Sequence, residues 1–145
     1  MMKEVIISDI LEQKGKKVFS IGPEEMVFEG IKLMSDKSIG ALLVMDREKV
    51  VGIFTERDYA RKVILANKSS KEIPIKEIMT KNIIYINPEM SIKNALGIMS
   101  EKKIRHLPVM KDDKCIGLVS IGDLVSRLID EQQHAIDHLI RYMTG

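Results

Sequence analysis

The apolar positions of this chain change period several times, and each change marks an element. Ser8-Asp9-Ile10-Leu11 opens a short helical pattern, with Ser8 a candidate N-cap and Gly15 a candidate C-cap. Val18-Phe19-Ser20-Ile21, entered from Lys17, reads as a strand closed by Gly22-Pro23. Pro23 at a first helical position, followed by Glu24 and Glu25, starts a helix, because acidic side chains favour the positive end of the helix dipole. Met26, Val27, Gly30, Ile31, Leu33 and Met34 then recur at helical spacing, ending near Lys37. Residues 40–45 and 50–54 are two apolar runs across the polar turn Asp46-Arg47-Glu48-Lys49, the pattern of a β-hairpin. Neither run alternates, which predicts strands covered on both faces. A second helix opens at Thr55, turns Tyr59, Val63 and Ile64 inward, and fades at residues 67–72, the one clear linker.

The pattern then repeats. A slide of 65 residues aligns residues 21–64 with 86–129 without a gap, pairing Pro23 with Pro88, Met34 with Met99, Leu42 with Leu107, Val44 with Val109, Gly52 with Gly117 and Asp58 with Asp123. The lead-in repeats as well: Ile75-Lys76-Glu77-Ile78-Met79 echoes Ile7-Ser8-Asp9-Ile10-Leu11, and Ile83-Ile84-Tyr85-Ile86 echoes the first strand. Two copies of one supersecondary unit exclude a long solenoid and favour a pseudo-twofold pair. Each β-α-β-β-α copy is too small to bury its own apolar sheet face. The expected fold class is therefore α/β (α+β), with two repeats packed through their sheets, helices outside, and a cleft between the halves for each copy. The expected division is a first repeat at 8–67, a linker at 68–75, a second repeat at 76–130 and a helical extension at 131–145. Leu124, Leu128, Ala135, Leu139 and Met143, flanked by Val125, Ile129, Ile136 and Ile140, give the final helix a broad apolar stripe. Two destinations are open for it: packing on its own domain, or a homodimer interface.

Composition narrows the function. The 45% hydrophobic and 30% charged content is that of a globular protein, and a net charge of +2 with both signs interspersed argues against a dedicated nucleic-acid surface. Met1-Met2-Lys3-Glu4 leads into mixed sequence without the apolar core of a signal peptide, and no apolar run is long enough to span a bilayer. A single cysteine excludes an internal disulfide and fits a reducing compartment, so a cytoplasmic location is expected.

The candidate chemistry sits at two matching junctions. Gly52-Ile53-Phe54-Thr55-Glu56-Arg57-Asp58 and Gly117-Leu118-Val119-Ser120-Ile121-Gly122-Asp123 share one skeleton: glycine, two apolar residues, a hydroxyl, two variable positions and aspartate. Each follows a strand pattern and leads into a helix. A hydroxyl at N-cap with an acid three residues on has the spacing of a capping box, and capping alone accounts for one isolated instance. Asp is shorter than the usual Glu, however, yet stands in both copies, and the preceding glycine leaves room for a ligand to approach. The same set suits ribose: a carboxylate accepts from two neighbouring hydroxyls, and the Thr or Ser hydroxyl donates or accepts beside it. Unpaired amides at a helix start favour phosphate, and apolar strand residues can sandwich a base.

The duplicated β-α-β-β-α unit, the two Gly-h-h-Thr/Ser-x-x-Asp junctions and Ile104-Arg105-His106-Leu107-Pro108-Val109 together resemble the cystathionine-β-synthase (CBS) domain pair, from about residue 8 to about residue 129. The resemblance implies a regulatory module, not an enzyme, that binds AMP, ADP or ATP, or else NAD or S-adenosylmethionine, as an energy-sensing device. It implies a ligand-binding set of Gly52, Thr55, Arg57 and Asp58 in one copy and Arg105, His106, Pro108, Gly117, Ser120 and Asp123 in the other. Thr55 and Asp58, like Ser120 and Asp123, would contact ribose, and Arg105 and His106 would stand where relatives place phosphate-binding side chains. It implies no obligatory cofactor, a homodimer, and an unidentified protein partner that receives the signal. The copies are unequal, since Gly40 and Ala41 stand opposite Arg105 and His106, and Gly122 stands opposite Arg57. A ligand-independent scaffold or dimerisation module is the other reading.

Further groups have plainer explanations. Cys115 aligns with Val50 inside a strand pattern, as a small buried hydrophobe would. His134 and His138 are four apart on a helix, a spacing metals use, yet the flanks carry no metalloprotease pattern. The ten methionines fall mostly on apolar helix faces, and Lys16-Lys17 and Lys102-Lys103 are too short to form a nucleic-acid surface.

Overall fold

The computed structural model describes residues 4–15 and 18–144. Its elements run α1 (Ile7–Lys14), β1 (Ser20–Ile21), α2 (Val27–Lys37), β2 (Ala41–Asp46), β3 (Lys49–Thr55), α3 (Glu56–Tyr59), α4 (Ile92–Lys102), β4 (His106–Lys111), β5 (Lys114–Ser120) and α5 (Ile121–Thr144). A π-helical turn, Ala60–Ile64, extends α3, and a 3-10 turn covers Ile75–Glu77. Helices with two small sheets make this a mixed α/β fold, as the alternating periods predict. The expectations for Met1, Met2, Lys3, Lys16 and Lys17 lie outside the described residues.

The repeat is visible element by element. Antiparallel β2–β3 and β4–β5 have the same register at the 65-residue offset, down to an irregularity between Val44 and Met45 in one and between Val109 and Met110 in the other. Both hairpins turn through two residues rather than four. In the second, Asp112 and Asp113 both have positive φ, the geometry that matches the right-handed twist of the strands. Ala41, Leu42, Leu43 and Val44 are all buried, so β2 is covered on both faces, as the lack of alternation implies.

The chain forms two compact units that do not follow its linear order. One joins α1 to everything from Tyr85 on; the other comprises the chain between α1 and Tyr85, ending at Ile84. In the unit ending at Ile84, Ile75 N–H donates to the Glu25 carbonyl (2.8 Å), Lys76 N–H to Pro23 (3.0 Å) and Val27 N–H to Ile73 (2.9 Å). In the other, Ile7 N–H donates to Met90 (2.9 Å), Ser8 N–H to Pro88 (2.8 Å) and Ile92 N–H to Val5 (3.1 Å). These are equivalent bonds under the repeat. Each lead segment is thus docked on the other repeat's turn and helix start, not on its own.

That exchange moves two helix starts. Pro23 lies in a turn, with Glu25 N–H bonded to the Gly22 carbonyl, and α2 begins four residues later with Met26 at the cap. Ile6, not Ser8, caps α1, and the Asp9 carboxylate accepts from Ile6 N–H at 3.0 Å. A helix start leaves amides without intrahelical partners. Here carbonyls of the exchanged segment accept from them, so no Ser or Pro signal is needed at the start. Gly15 does close α1, at φ 90°, donating to the Leu11 carbonyl. The Lys17-to-Ile21 strand shrinks to Ser20–Ile21, and the Ile83–Ile86 strand to a parallel bridge at Ile86. Nor does the polar stretch after residue 67 run free: Ser70 accepts from Phe28 N–H, and Ile73 is buried in the core with Val27, Phe54 and Ile75.

Candidate functional site

Both strand-to-helix junctions form complete capping boxes. At the first, Thr55 Oγ1 accepts from Asp58 N–H (3.1 Å) and Asp58 Oδ2 accepts from Thr55 N–H (3.1 Å). At the second, Ser120 Oγ accepts from Asp123 N–H (3.1 Å) and Asp123 Oδ2 from Ser120 N–H (2.8 Å). Aspartate therefore reaches the cap amide in both copies, contrary to the expectation from its length, because the short first turn brings the third residue close. The glycines have a packing reason as well. A Cβ on Gly52 would lie 2.5 Å from Met79 Sδ, and one on Gly117 would fall on Leu11 Cδ2. Met79 and Leu11 are equivalent residues of the two exchanged segments, so the space reserved at the glycine holds protein.

The two carboxylates differ beyond the cap. Asp58 is buried, and its Oδ1 accepts from Thr80 Oγ1 (3.2 Å) and pairs with Lys62 Nζ (3.1 Å). Lys62 Nζ also donates to the Ile78 carbonyl, which ties the π-helical turn to the exchanged segment. Asp123 is half-buried and uses only Oδ2, which also takes Lys14 Nζ at 2.7 Å. Its Oδ1 meets no partner among the described residues. Lys14 Nζ donates further to the Leu118 carbonyl (2.9 Å), so the end of α1 is held against β5.

Around Asp123 lies a cleft of about 360 Å³, lined by Ile10, Gln13, Lys14, Ser120, Asp123 and Arg127 among others. The register sets His106 directly across the sheet from Ser120. The Arg105 carbonyl accepts from Ile121 N–H (2.8 Å) while its side chain is exposed, and Pro108 is buried mid-strand, where its carbonyl accepts from Ile86 N–H. Ser120, Asp123 and Lys14 thus line this cleft; His106, which feels the charges of Lys14 and Asp123, does not, nor does Arg105, while Gly117 and Pro108 serve as scaffold. In the unit ending at Ile84, Ala41 stands across from Thr55 where the other has His106. Its cleft, about 530 Å³, is lined by Ile31, Met34, Ser38, Gly40, Glu56 and Tyr59 among others. The carboxylate there is Glu56. Thr55 and Asp58 do not line it, and Arg57 is half-buried in the first turn of α3.

Lys14, Lys62 and Thr80 carry no motif of their own, and the sequence reading missed them. Part of the signal was available: aligning the lead segments at 68 residues sets Met79 on Leu11 and Thr80, which reaches Asp58, on Glu12, two residues before Lys14, which reaches Asp123.

Electrostatics follow from these contacts. Burial pushes the Asp123 carboxyl up, but the Lys14 ammonium and the Ser120 amide and hydroxyl outweigh it and hold the group below its ordinary 3.8. Its contribution to stability is complete above that value and is lost as pH falls through the lower folded one. His106 is lowered from 6.5, first by burial and then by Lys14 and Arg105, with Asp123 opposing. The folded chain therefore binds this proton more weakly than the unfolded chain does. His106's contribution is complete above about pH 6.5 and drains away as pH falls through its lower folded value. Denaturant midpoints should fall between pH 7 and pH 5.5, and His106→Gln should flatten that slope; an unchanged slope would rule out a neutral, half-buried His106.

Cys115 is half-buried, and burial pushes its thiol up, the behaviour of a small core residue. His134 is exposed, as is His138, and among the described residues no group of three or more metal-ligating side chains could hold an ion. No helix among the described residues is long and apolar enough to cross a membrane.

The CBS domain family model matches residues 7–65 and 75–130. The mitochondrial CBS domain-containing protein CBSX3 of Arabidopsis thaliana is 36% identical over 148 residues, covering 96% of this chain and 72% of its own. The crystal structure of the CBS domain protein NE2398 superposes with a TM-score of 0.84 at 43% identity, over 88% of this chain and 99% of that one. The CBS domain pair of MJ0100, crystallised in complex with 5′-methylthioadenosine and S-adenosyl-L-methionine, gives 0.78 at 29% identity, over 90% and 99%. Two copies of the unit, each with its capped Thr/Ser-x-x-Asp junction, account for these matches, and the chain belongs to the CBS domain family.

Proposed function

We propose that this chain is a regulatory module, without catalysis of its own, that senses adenosine-containing ligands through its two junctions and passes the signal to a protein partner. The observation that carries the reading is Asp123: a half-buried carboxylate, held ionised by Lys14 and the Ser120 amide, keeps Oδ1 open beside a cleft. A ribose diol presents two donors at the spacing one carboxylate accepts, and Ser120 Oγ is next to it. The two adenosine compounds bound by MJ0100 support the same ligand class. His106 at the start of the neighbouring strand β4 and Arg105 just before it are offered for a phosphate, with Lys14 as a third positive group. The unit with Thr55, Arg57 and Asp58 forms the weaker site, since Asp58 already has partners on both oxygens. Gly52, Gly117 and Pro108 contribute by shaping the backbone. AMP, ADP, ATP, NAD and S-adenosylmethionine are the ligands to try, in the reducing, cytoplasm-like conditions a free thiol favours.

A phosphate beside His106 must raise its lowered pKa, so binding should take up a proton where His106 of the free protein is neutral. The heat of AMP or ATP binding should then vary with the ionisation enthalpy of the buffer, while that of uncharged methylthioadenosine should not. Calorimetry with no heat for any of these compounds would sink the proposal. Heat without buffer dependence would remove His106 from the phosphate site alone. The scaffold reading draws on one observation, the bare face of α5.

A further inference from the structure

Each junction aspartate is followed, one helical turn on, by a basic residue: Lys62 after Asp58 and Arg127 after Asp123. Side chains four apart on a helix are neighbours, and an acid that precedes its base is the better order for an ion pair. Lys62 takes that pairing. Its Nζ lies 3.1 Å from Asp58 Oδ1 and donates to the Ile78 carbonyl (3.0 Å), so the oxygen not needed by the cap is covered. Arg127 declines it. Its Nε donates to Glu131 Oε1 (3.1 Å) and its Nη1 to Gln13 Oε1 (3.0 Å), which leaves Asp123 Oδ1 open. Glu131 follows Arg127 by four, the poorer order, so helix spacing alone does not decide the choice.

Repeat equivalence identifies what does. The 65-residue offset sets Glu131 on Ala66, and the 68-residue offset of the lead segments sets Gln13 on Lys81 and Lys14 on Asn82. At the open junction two acceptors draw Arg127 away, while Lys14, 2.7 Å from Asp123 Oδ2, already supplies that carboxylate with a cation. At the covered junction the side chains of Ala66 and Lys81 accept no hydrogen bond, and Asn82 brings no rival cation to Asp58. We propose that Glu131 is a positioning residue for the ligand cleft: it holds Arg127 off Asp123 and so keeps this junction open, whereas Lys62 shuts the other. Arg127 lines the cleft and Glu131 does not, so the effect of Glu131 passes through Arg127. The choice of which junction is open then rests on residues outside both Thr/Ser-x-x-Asp motifs.

The role in binding rests on the reading of Asp123 Oδ1 as the ribose acceptor, but the side-chain exchange is measurable without ligand. Glu131→Ala in the whole chain puts the best helix former in the middle of α5, so the helix is retained. The probe is uncharged 5′-methylthioadenosine, which offers Arg127 no phosphate to grip. A pair of this kind would close Oδ1 in about two-thirds of the molecules, and calorimetry should show an affinity about threefold weaker than that of the wild type. In an Arg127→Ala background the same substitution should change nothing. A Glu131→Ala variant that binds like the wild type, or that loses as much with Arg127 absent, would overturn the inference. A crystal structure of Glu131→Ala without ligand should place the Arg127 guanidinium within hydrogen-bonding distance of Asp123 Oδ1; a guanidinium still turned away from Asp123 would overturn it independently. A wild type that gives no heat, together with that exchange in the crystal, would fault the ribose reading and still support the role of Glu131.

Discussion

Asp58→Ala is expected to cost about 2–3 kcal/mol of folding stability, because it removes a cap and leaves three donors, Thr55 N–H, Thr80 Oγ1–H and Lys62 Nζ, without their acceptor. Asp123→Ala should cost only about 1 kcal/mol, the value of a cap, since Lys14 is 40% exposed and its pairing is screened by solvent. The order should reverse for ligand. Losing Asp123 removes the open oxygen of the stronger site, so adenosine-ligand affinity should drop at least tenfold in a protein that still unfolds cooperatively. Calorimetry and urea unfolding on the two variants separate the roles. If Asp123→Ala unfolds the protein while leaving affinity intact among the folded molecules, the junction is a helix cap and nothing more. Asp123→Asn keeps an acceptor for the Ser120 amide and loses the charge, so it should resemble wild type in stability and the alanine variant in binding.

A loss of similar size is expected at a residue with no side chain. Gly52→Ala would place a methyl 2.5 Å from Met79 Sδ and 3.1 Å from the Thr80 carbonyl oxygen. Met79 can move, but the carbonyl is fixed by the bond it accepts from Ile53 N–H (3.0 Å), and Ile53 in turn accepts from Thr80 N–H (2.9 Å). Overpacking against a fixed backbone costs about 1–3 kcal/mol, and the upper end is expected here. Trimming the neighbour should recover part of it: Gly52→Ala with Met79→Ala should be more stable than the sum of the single losses by more than about 0.5 kcal/mol. Gly117→Ala should be milder, because all its close contacts are to the side chain of Leu11, which can rotate. Strict additivity in the Gly52–Met79 cycle would contradict the tight fit of the exchanged segment.

Much of this was legible in the chain. The β-α-β-β-α order, the offset of 65 and the Thr/Ser-x-x-Asp junctions come directly from periodicity and repetition, which are local properties. The misreadings at Ser8 and Pro23 have one origin. Capping signals assume a helix must satisfy its own first amides, whereas here carbonyls more than forty residues away accept from them. The glycines were read as ligand space because their actual neighbours, Leu11 and Met79, are distant in sequence. Lys14 was invisible for the same reason. His106 was found because the motif carries it, but its neutral state needed the burial and the Lys14 charge that only the fold supplies.

The crossed lead segments also set a timetable for synthesis. The stretch that follows α1 and ends at Ile84 makes one contiguous unit, whose contacts can close as soon as that length has emerged from the ribosome. α1 is made before that unit and docks after it, because its acceptors at Pro88 and Met90 and its anchors at Gly117, Leu118 and Asp123 come eighty to more than one hundred residues later. Closing so long a loop is an entropic delay that the unit inside it does not face. Until then the nascent chain holds a finished unit and, ahead of it, an amphipathic helix waiting for its groove. In the completed protein, an element made before either unit is whole is the one that locks the unit finished later.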